Sequence, residues 1–275
     1  AICGASCLPT SIEPNTAIPV RVIHDPSASE PRLCIPKTLR VAMIRAHDAI
    51  RLALQDLHES TIPADLPRPW AVSQETSTLY HAIRDCDEQH GVLVSLNLLK
   101  TGEVTGVTEI RSAVNTLSAL IRLVFHLRTS PRFSNRLKKL KFLGWQKALK
   151  SPESPLTKLP TIRMCCAGLQ GIPLIGQLSF IDTPGATEAG DGEGFMEFTR
   201  TVLNIVQQHS SRVVVITTPE QHETQSNKDL LAQVVKNVKQ RSLVTLVFNK
   251  MDSVGREPRA IVNKLAEYKE QYRNE

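Results

Sequence analysis

Two short runs of consecutive apolar, β-favouring residues constrain the fold most. One is Val213-Val214-Val215-Ile216, within 212–217, and the other holds Leu243, Val244, Leu246 and Val247, within 242–248. Runs this apolar belong to strands covered on both faces. The segment between them, 227–238, reads as a helix, and strand–helix–strand is the pattern of parallel pairing through a crossover. The alternation continues on both sides. Residues 174–181 read as a strand, 195–209 as a helix with Phe198, Val202, Ile205 and Val206 as its apolar stripe, and 257–272 as a last helix. The expected fold class is therefore α/β, a three-layer arrangement around a mainly parallel sheet. In such folds ligands bind beyond the carboxyl ends of the strands.

The front of the chain is less regular. Residues 1–37 carry six prolines and little periodicity, and are expected to form an extended or disordered lead-in. From 38 to 58, Leu39, Val41, Ile44, Ala46, Ile50, Leu52 and Leu54 recur at helical spacing. Three prolines in 59–69 break that helix, and 76–88 form a second one, with Leu79, Ile83 and Cys86 on one side. A short apolar run at 92–99 and a polar, glycine-containing loop at 101–108 lead to a helix over 109–127, carried by Ile110, Val114, Leu117, Leu120, Ile121 and Val124. The expected organisation is a lead-in at 1–37, a helical segment at 38–90 and an α/β domain, incomplete at both ends, at 91–275.

Composition sets outer limits. Of 275 residues, 41% are apolar and 22% charged, which excludes a wholly disordered chain and a collagen-like repeat. No apolar run approaches the roughly 20 residues of a membrane span. The six cysteines include no C-x-x-C pair, so reduced thiols in a cytoplasmic protein are expected rather than a zinc site. The chain begins with Ala1, and a fragment or a processed chain is expected on that ground. The net charge is +6, and between 127 and 163 ten Lys or Arg face the single acid Glu153. Such a window is either a solvated face or a patch for anionic lipid, nucleic acid or an acidic partner. No aromatic ladder accompanies it, which disfavours nucleic acid.

Two short motifs stand at predicted strand ends. Asp182-Thr183-Pro184-Gly185 fits D-x-x-G. An aspartate there can reach Mg²⁺, commonly through a coordinated water, and the glycine lets a backbone N–H approach a terminal phosphate. About one such match is expected by chance in a chain of this length. Asp191 to Gly194 is a second, without a strand in front of it. Asn249-Lys250-Met251-Asp252 fits N-K-x-D, for which chance supplies only about a few hundredths of a match. The Asp252 carboxylate can accept from the N1–H and 2-amino edge of guanine, a pair of donors that adenine lacks. Asn249 would hold the loop, and the Lys250 stem would lie along the ring.

With these motifs in this order, the segment 174–252 resembles the GTPase domain of the dynamin superfamily of large GTPases. Gly190-Asp191 after the first motif, and Ser226, Asp229, Leu230, Ala232 and Val235 before the base-recognition strand, strengthen the likeness, as does the long helical and basic interval upstream. Asn249 departs from the Thr usual in that family and matches GTPases at large. The resemblance implies a P-loop GTPase-like fold, GTP or GDP as ligand, Mg²⁺ as cofactor, and hydrolysis by in-line attack of water. It further implies dimerisation through the GTPase domains and peripheral action on membranes. A switch threonine that binds Mg²⁺ and places the water is expected in the loop at 100–108, with Thr108 as first choice and Thr105 as second.

One part of the pattern is missing. G-x-x-x-x-G-K-[ST] supplies the phosphate cradle and its lysine, and this chain contains no Gly-Lys dipeptide. Residues 91–99 resemble only the helix that follows such a loop. Either a segment before Gly91 is absent from the sequence, or the chain is a pseudo-GTPase. Weakened GTP binding and hydrolysis are expected. The alternatives are a non-catalytic interaction module using the basic surface, and a GTPase of another branch, septin-like or immunity-associated.

Overall fold

The computed structural model describes residues 18–55, 100–129, 155–172, 178–183, 212–218, 244–248 and 258–273, with single positions between 224 and 234. Contacts divide the chain into two compact units, Ala1–Val206 and Gln207–Glu275.

The first unit is built on a five-stranded sheet. Its strands are β1 (Val20–His24), β2 (Arg32–Cys34), β3 (Glu103–Thr105), β4 (Thr161–Met164) and β5 (Ser179–Asp182), in the spatial order β3-β2-β4-β1-β5. One row runs across all five strands: Val104, Leu33, Ile162, Val22 and Phe180. The first four are buried, and Phe180 packs against the same core. Two helices complete that core, α1 (Lys37–Gln55) through Leu39, Met43, Ala46 and Ile50, and α2 (Val107–Thr129) through Ile110, Val114, Leu117 and Leu120. Each set recurs every three to four residues, the stripe a helix needs to lie on one surface. Helix α1 comes from the expected separate segment at 38–90, yet it shares this core with α2 and the sheet.

The α/β class holds, but the sheet is mixed rather than mainly parallel. Only β1·β4 is parallel; β1·β5, β2·β3 and β2·β4 are antiparallel. The physical reason is visible in the strands. Arg21, Arg32, Thr105 and Arg163 alternate with the buried row, so one face is apolar and the other is largely polar with Ile23 buried in it, an alternation common in sheets with antiparallel pairing. The stretch 1–37, expected to be an extended or disordered lead-in, contributes β1 and β2, and the loop expected at 101–108 contains β3 and the start of α2.

Two glycines carry the chain into and out of β3. Gly102 has φ 82° and Gly106 has φ 89°, a region that residues with a Cβ rarely adopt. The Gly102 carbonyl accepts from the Ile35 N–H at 2.8 Å, and the Gly106 N–H donates to the Pro31 carbonyl at 3.2 Å, closing the β2·β3 pairing at both ends. A Cβ on Gly102 would stand 2.6 Å from the Arg40 guanidinium carbon, and that guanidinium is held by a 2.6 Å bond to the Lys100 carbonyl. The Glu109 carboxylate folds over Gly106 in the first turn of α2, where negative charge is favourable.

The second unit contains β6 (Val213–Thr217) and β7 (Val244–Phe248), paired in parallel with Val215 opposite Leu246, as the apolar runs predict. Val234 packs on one face, against Val213, Val215, Val244 and Leu246. The other face leaves Val214, Ile216 and Val247 exposed, Ile216 by 67%. Helix α3 (Pro258–Arg273) lies where the last helix was expected. The expected helix at 76–88 and the apolar run at 92–99 lie outside the described residues, as does the expected helix at 195–209.

Gly102→Ala is expected to destabilise the first unit by about 1–3 kcal/mol, from the positive φ together with the collision at Arg40; urea unfolding measures it. A pH effect follows from His47 on α1. Burial lowers its pKa below the ordinary 6.5, with Arg51 acting in the same direction and Asp48 opposing. The folded state then binds fewer protons than the unfolded chain, so stability falls as pH drops through 6.5. His47→Leu is expected to flatten the Tm profile between roughly pH 7 and pH 5.

Candidate functional site

Asp182 closes β5, opposite Val20 at the start of β1, and is partly buried. Thr183 follows it, also partly buried. Pro184 and Gly185 lie outside the described residues, as do Asn249, Lys250 and Asp252; so does the second match at 191–194. The strand before the base motif is described: β7 ends on Phe248, the residue before Asn249. Each motif thus begins where a strand stops.

The threonine candidates stand elsewhere. Thr105 ends β3 and is exposed, and Thr108 is an exposed residue in the first turn of α2. β3 and β5 are the two edges of the sheet, four strand spacings or about 19 Å apart. The register also sets them at opposite ends. Thr105 shares a row with Arg32, Arg163, Ile23 and Ser179, whereas Asp182 is three residues beyond Ser179. The chain leaves β3 toward Thr108 at the end away from Asp182. The structure therefore does not bring Thr108 and Asp182 together around one ion. Mg²⁺ takes hard oxygen ligands such as a carboxylate and fills its remaining positions with phosphate and water. Among the described residues no three His, Cys, Asp or Glu side chains cluster as a metal site.

Of the cysteines, Cys34, Cys165 and Cys166 are described, each a free thiol. The Cys166 N–H donates to the buried His24 at Nδ1, over 3.0 Å, so the imidazole proton sits on Nε2. This contact ties the end of β1 to the chain leaving β4. Asp25, the next residue, accepts at Oδ1 from the Ser27 hydroxyl at 2.6 Å and the Ser27 N–H at 3.0 Å. Those bonds, with weaker help from the charge of Arg163, hold its carboxyl below the usual range.

Most of the basic window at 128–163 lies outside the described residues; Arg163 is an exposed residue of β4. The fold adds two arginines that sequence reading missed, Arg21 on β1 and Arg32 on β2, both on the same sheet face as Arg163. Their signal was the alternation Val-Arg-Val and Arg-Leu-Cys, which is too short to mark a strand by itself. Among the described residues no helix is long and apolar enough to cross a membrane.

The chain has no match among protein-family models, curated proteins or solved structures.

In an Mn²⁺ titration followed by electron paramagnetic resonance with GDP present, Asp182→Ala is expected to weaken ion binding by about tenfold. Thr108→Ala is expected to leave it unchanged. Equal loss in both variants would overturn the separation.

Proposed function

We propose that the chain binds guanine nucleotides through a GTPase-like domain of the dynamin type. One observation carries this reading: both motifs begin at the carboxyl ends of strands, D-x-x-G at the last residue of β5 and N-K-x-D directly after β7, a strand with a parallel neighbour. The place after β7 is where ligand-binding loops of α/β folds lie, whereas β5 runs antiparallel to β1, so D-x-x-G begins beside the start of β1. Asp182 orients the shell of a divalent ion, and the Gly185 N–H donates to the terminal phosphate. Asn249 braces the base loop, the Lys250 stem covers the ring, and Asp252 accepts from the guanine edge. Mg²⁺, when bound with the nucleotide, would neutralise phosphate charge. Hydrolysis is slow in this reading, because no Gly-Lys loop shares that task. Self-association through the same domain and peripheral attachment to membranes belong to the reading by resemblance.

A second reading has its own support. The missing Gly-Lys and the distance between Thr108 and Asp182 both favour a pseudo-GTPase that acts as a non-catalytic interaction module.

A fluorescent-GTP titration of the chain, with and without Mg²⁺, separates the two. Displacement by GTP and GDP but not ATP is expected, and Asp252→Ala is expected to weaken binding by about tenfold to a hundredfold, the cost of guanine donors left unpaired. Absence of saturable binding at millimolar nucleotide would favour the interaction module.

A further inference from the structure

Three arginines occupy the sheet face turned away from α1 and α2. Arg32 of β2 is directly opposite Arg163 of β4, and Arg21 of β1 is opposite Thr161, two residues before Arg163. Side chains opposed in this way start about 5 Å apart, and diagonal ones about 7–8 Å apart. Like charges directly opposed weaken a strand pair, so the arrangement works against the sheet that carries it.

The described residues do little to offset this. None of the three arginines forms an ion pair or a side-chain hydrogen bond among them, and the Arg21 Nε is shut off from solvent with no hydrogen-bond partner. Asp25 is close enough for its carboxyl to feel the Arg163 charge, but its Oδ1 is already engaged by both donors of Ser27. A set of forked donors lacking acceptors calls for a ligand that brings several oxygens.

The surroundings limit the size of that ligand. The row of Arg32 and Arg163 ends in two hydroxyl residues, Thr105 on β3 and Ser179 on β5. The other neighbours on this face are Thr161, Ile23, which is buried, the partly buried Cys34 and Ile181, and Glu103, an exposed carboxylate. A polyanion or an anionic membrane laid along the face would meet the negative charge of Glu103 on leaving the three arginines. A compact anion would not.

We propose that Arg21, Arg32 and Arg163 form a binding site for a phosphoryl dianion carried by a soluble small molecule. The guanidinium groups of Arg32 and Arg163 grip its oxygens in bidentate fashion, and Arg21 adds charge from the third strand. The site is separate from the nucleotide motifs. Asp182 shares a row with Val20, on the opposite sheet face, at the other end of β5 from Ser179.

The test is an equilibrium titration of the full chain with inorganic phosphate and with pyrophosphate at low ionic strength. Saturable binding is expected, about tenfold or more weaker in Arg32→Gln and in Arg163→Gln. Lys264→Gln on α3 is expected to leave it unchanged. A thermal readout guards against misfolded variants. Phosphate is expected to raise the Tm of the natural chain but not that of the variant carrying both Arg32→Gln and Arg163→Gln. In phosphate-free buffer Arg32→Thr is expected to raise the Tm, because the opposed charge is gone. Absence of saturable binding by either anion would overturn the proposal, as would equal binding in the arginine variants. Capture by phosphatidic acid vesicles without any binding of the free anions would overturn it too, by assigning the face to a membrane.

Discussion

The five-stranded sheet depends on the pairing of β1 with β4. These two strands are parallel neighbours, and β1 also takes β5 on its other side while β4 takes β2. Remove β1 and β5 loses its sheet; remove β4 and β2 with β3 are cut off. The row through Val22 and Ile162 lies in one core with the two helices, and Leu33 and Val104 extend it to the far edge. Parallel neighbours cannot be joined by a tight turn, so the connection must make an excursion. Here it includes β2, α1, β3 and α2, which means that most of the core is itself the crossover.

That arrangement explains what could be read in advance and what could not. Helices α1, α2 and α3 were legible because each repeats its apolar residues over several turns. Strands β6 and β7 were legible because their runs are continuous. The strands of the large sheet were harder. β2 and β3 have three residues each, and β1 and β4 carry arginine at the positions that face away from the core. An isolated Glu-Val-Thr between two glycines reads as a loop, and only the Gly102 and Gly106 turns with their hydrogen bonds to Ile35 and Pro31 make it a strand. The candidate nucleotide residues were legible as motifs, because their spacing is local. Their mutual placement was not. Thr108 was expected beside Asp182 because the resemblance puts both on one ion, and it is the edge position of β3 that sets it apart.

The two charged features of the first unit differ in chemical character. Asp182 places one carboxylate, a compact hard anion, at a strand end. The three arginines offer diffuse positive charge on a pleated surface, suited to oxyanions. Because the strands alternate sides, the same sheet can keep these two features from neutralising each other: the pleat turns Arg21 away from the face that Asp182 shares with Val20 and Val22. The stability of the sheet comes from the apolar side of that pleat, which leaves the polar side free to vary.

The order of the strands also has a consequence during synthesis. β1 leaves the ribosome before either of its neighbours exists. Its parallel partner begins at Thr161 and its antiparallel partner at Ser179. At the usual 5–20 residues per second, the wait for β4 lasts roughly 7–30 seconds. During that interval Val20, Val22 and Ile23 have no sheet to enter, and the open strand is a place where a chaperone or a second nascent chain can attach. Residues that end paired on both sides, inside the sheet, are those that spend longest without it.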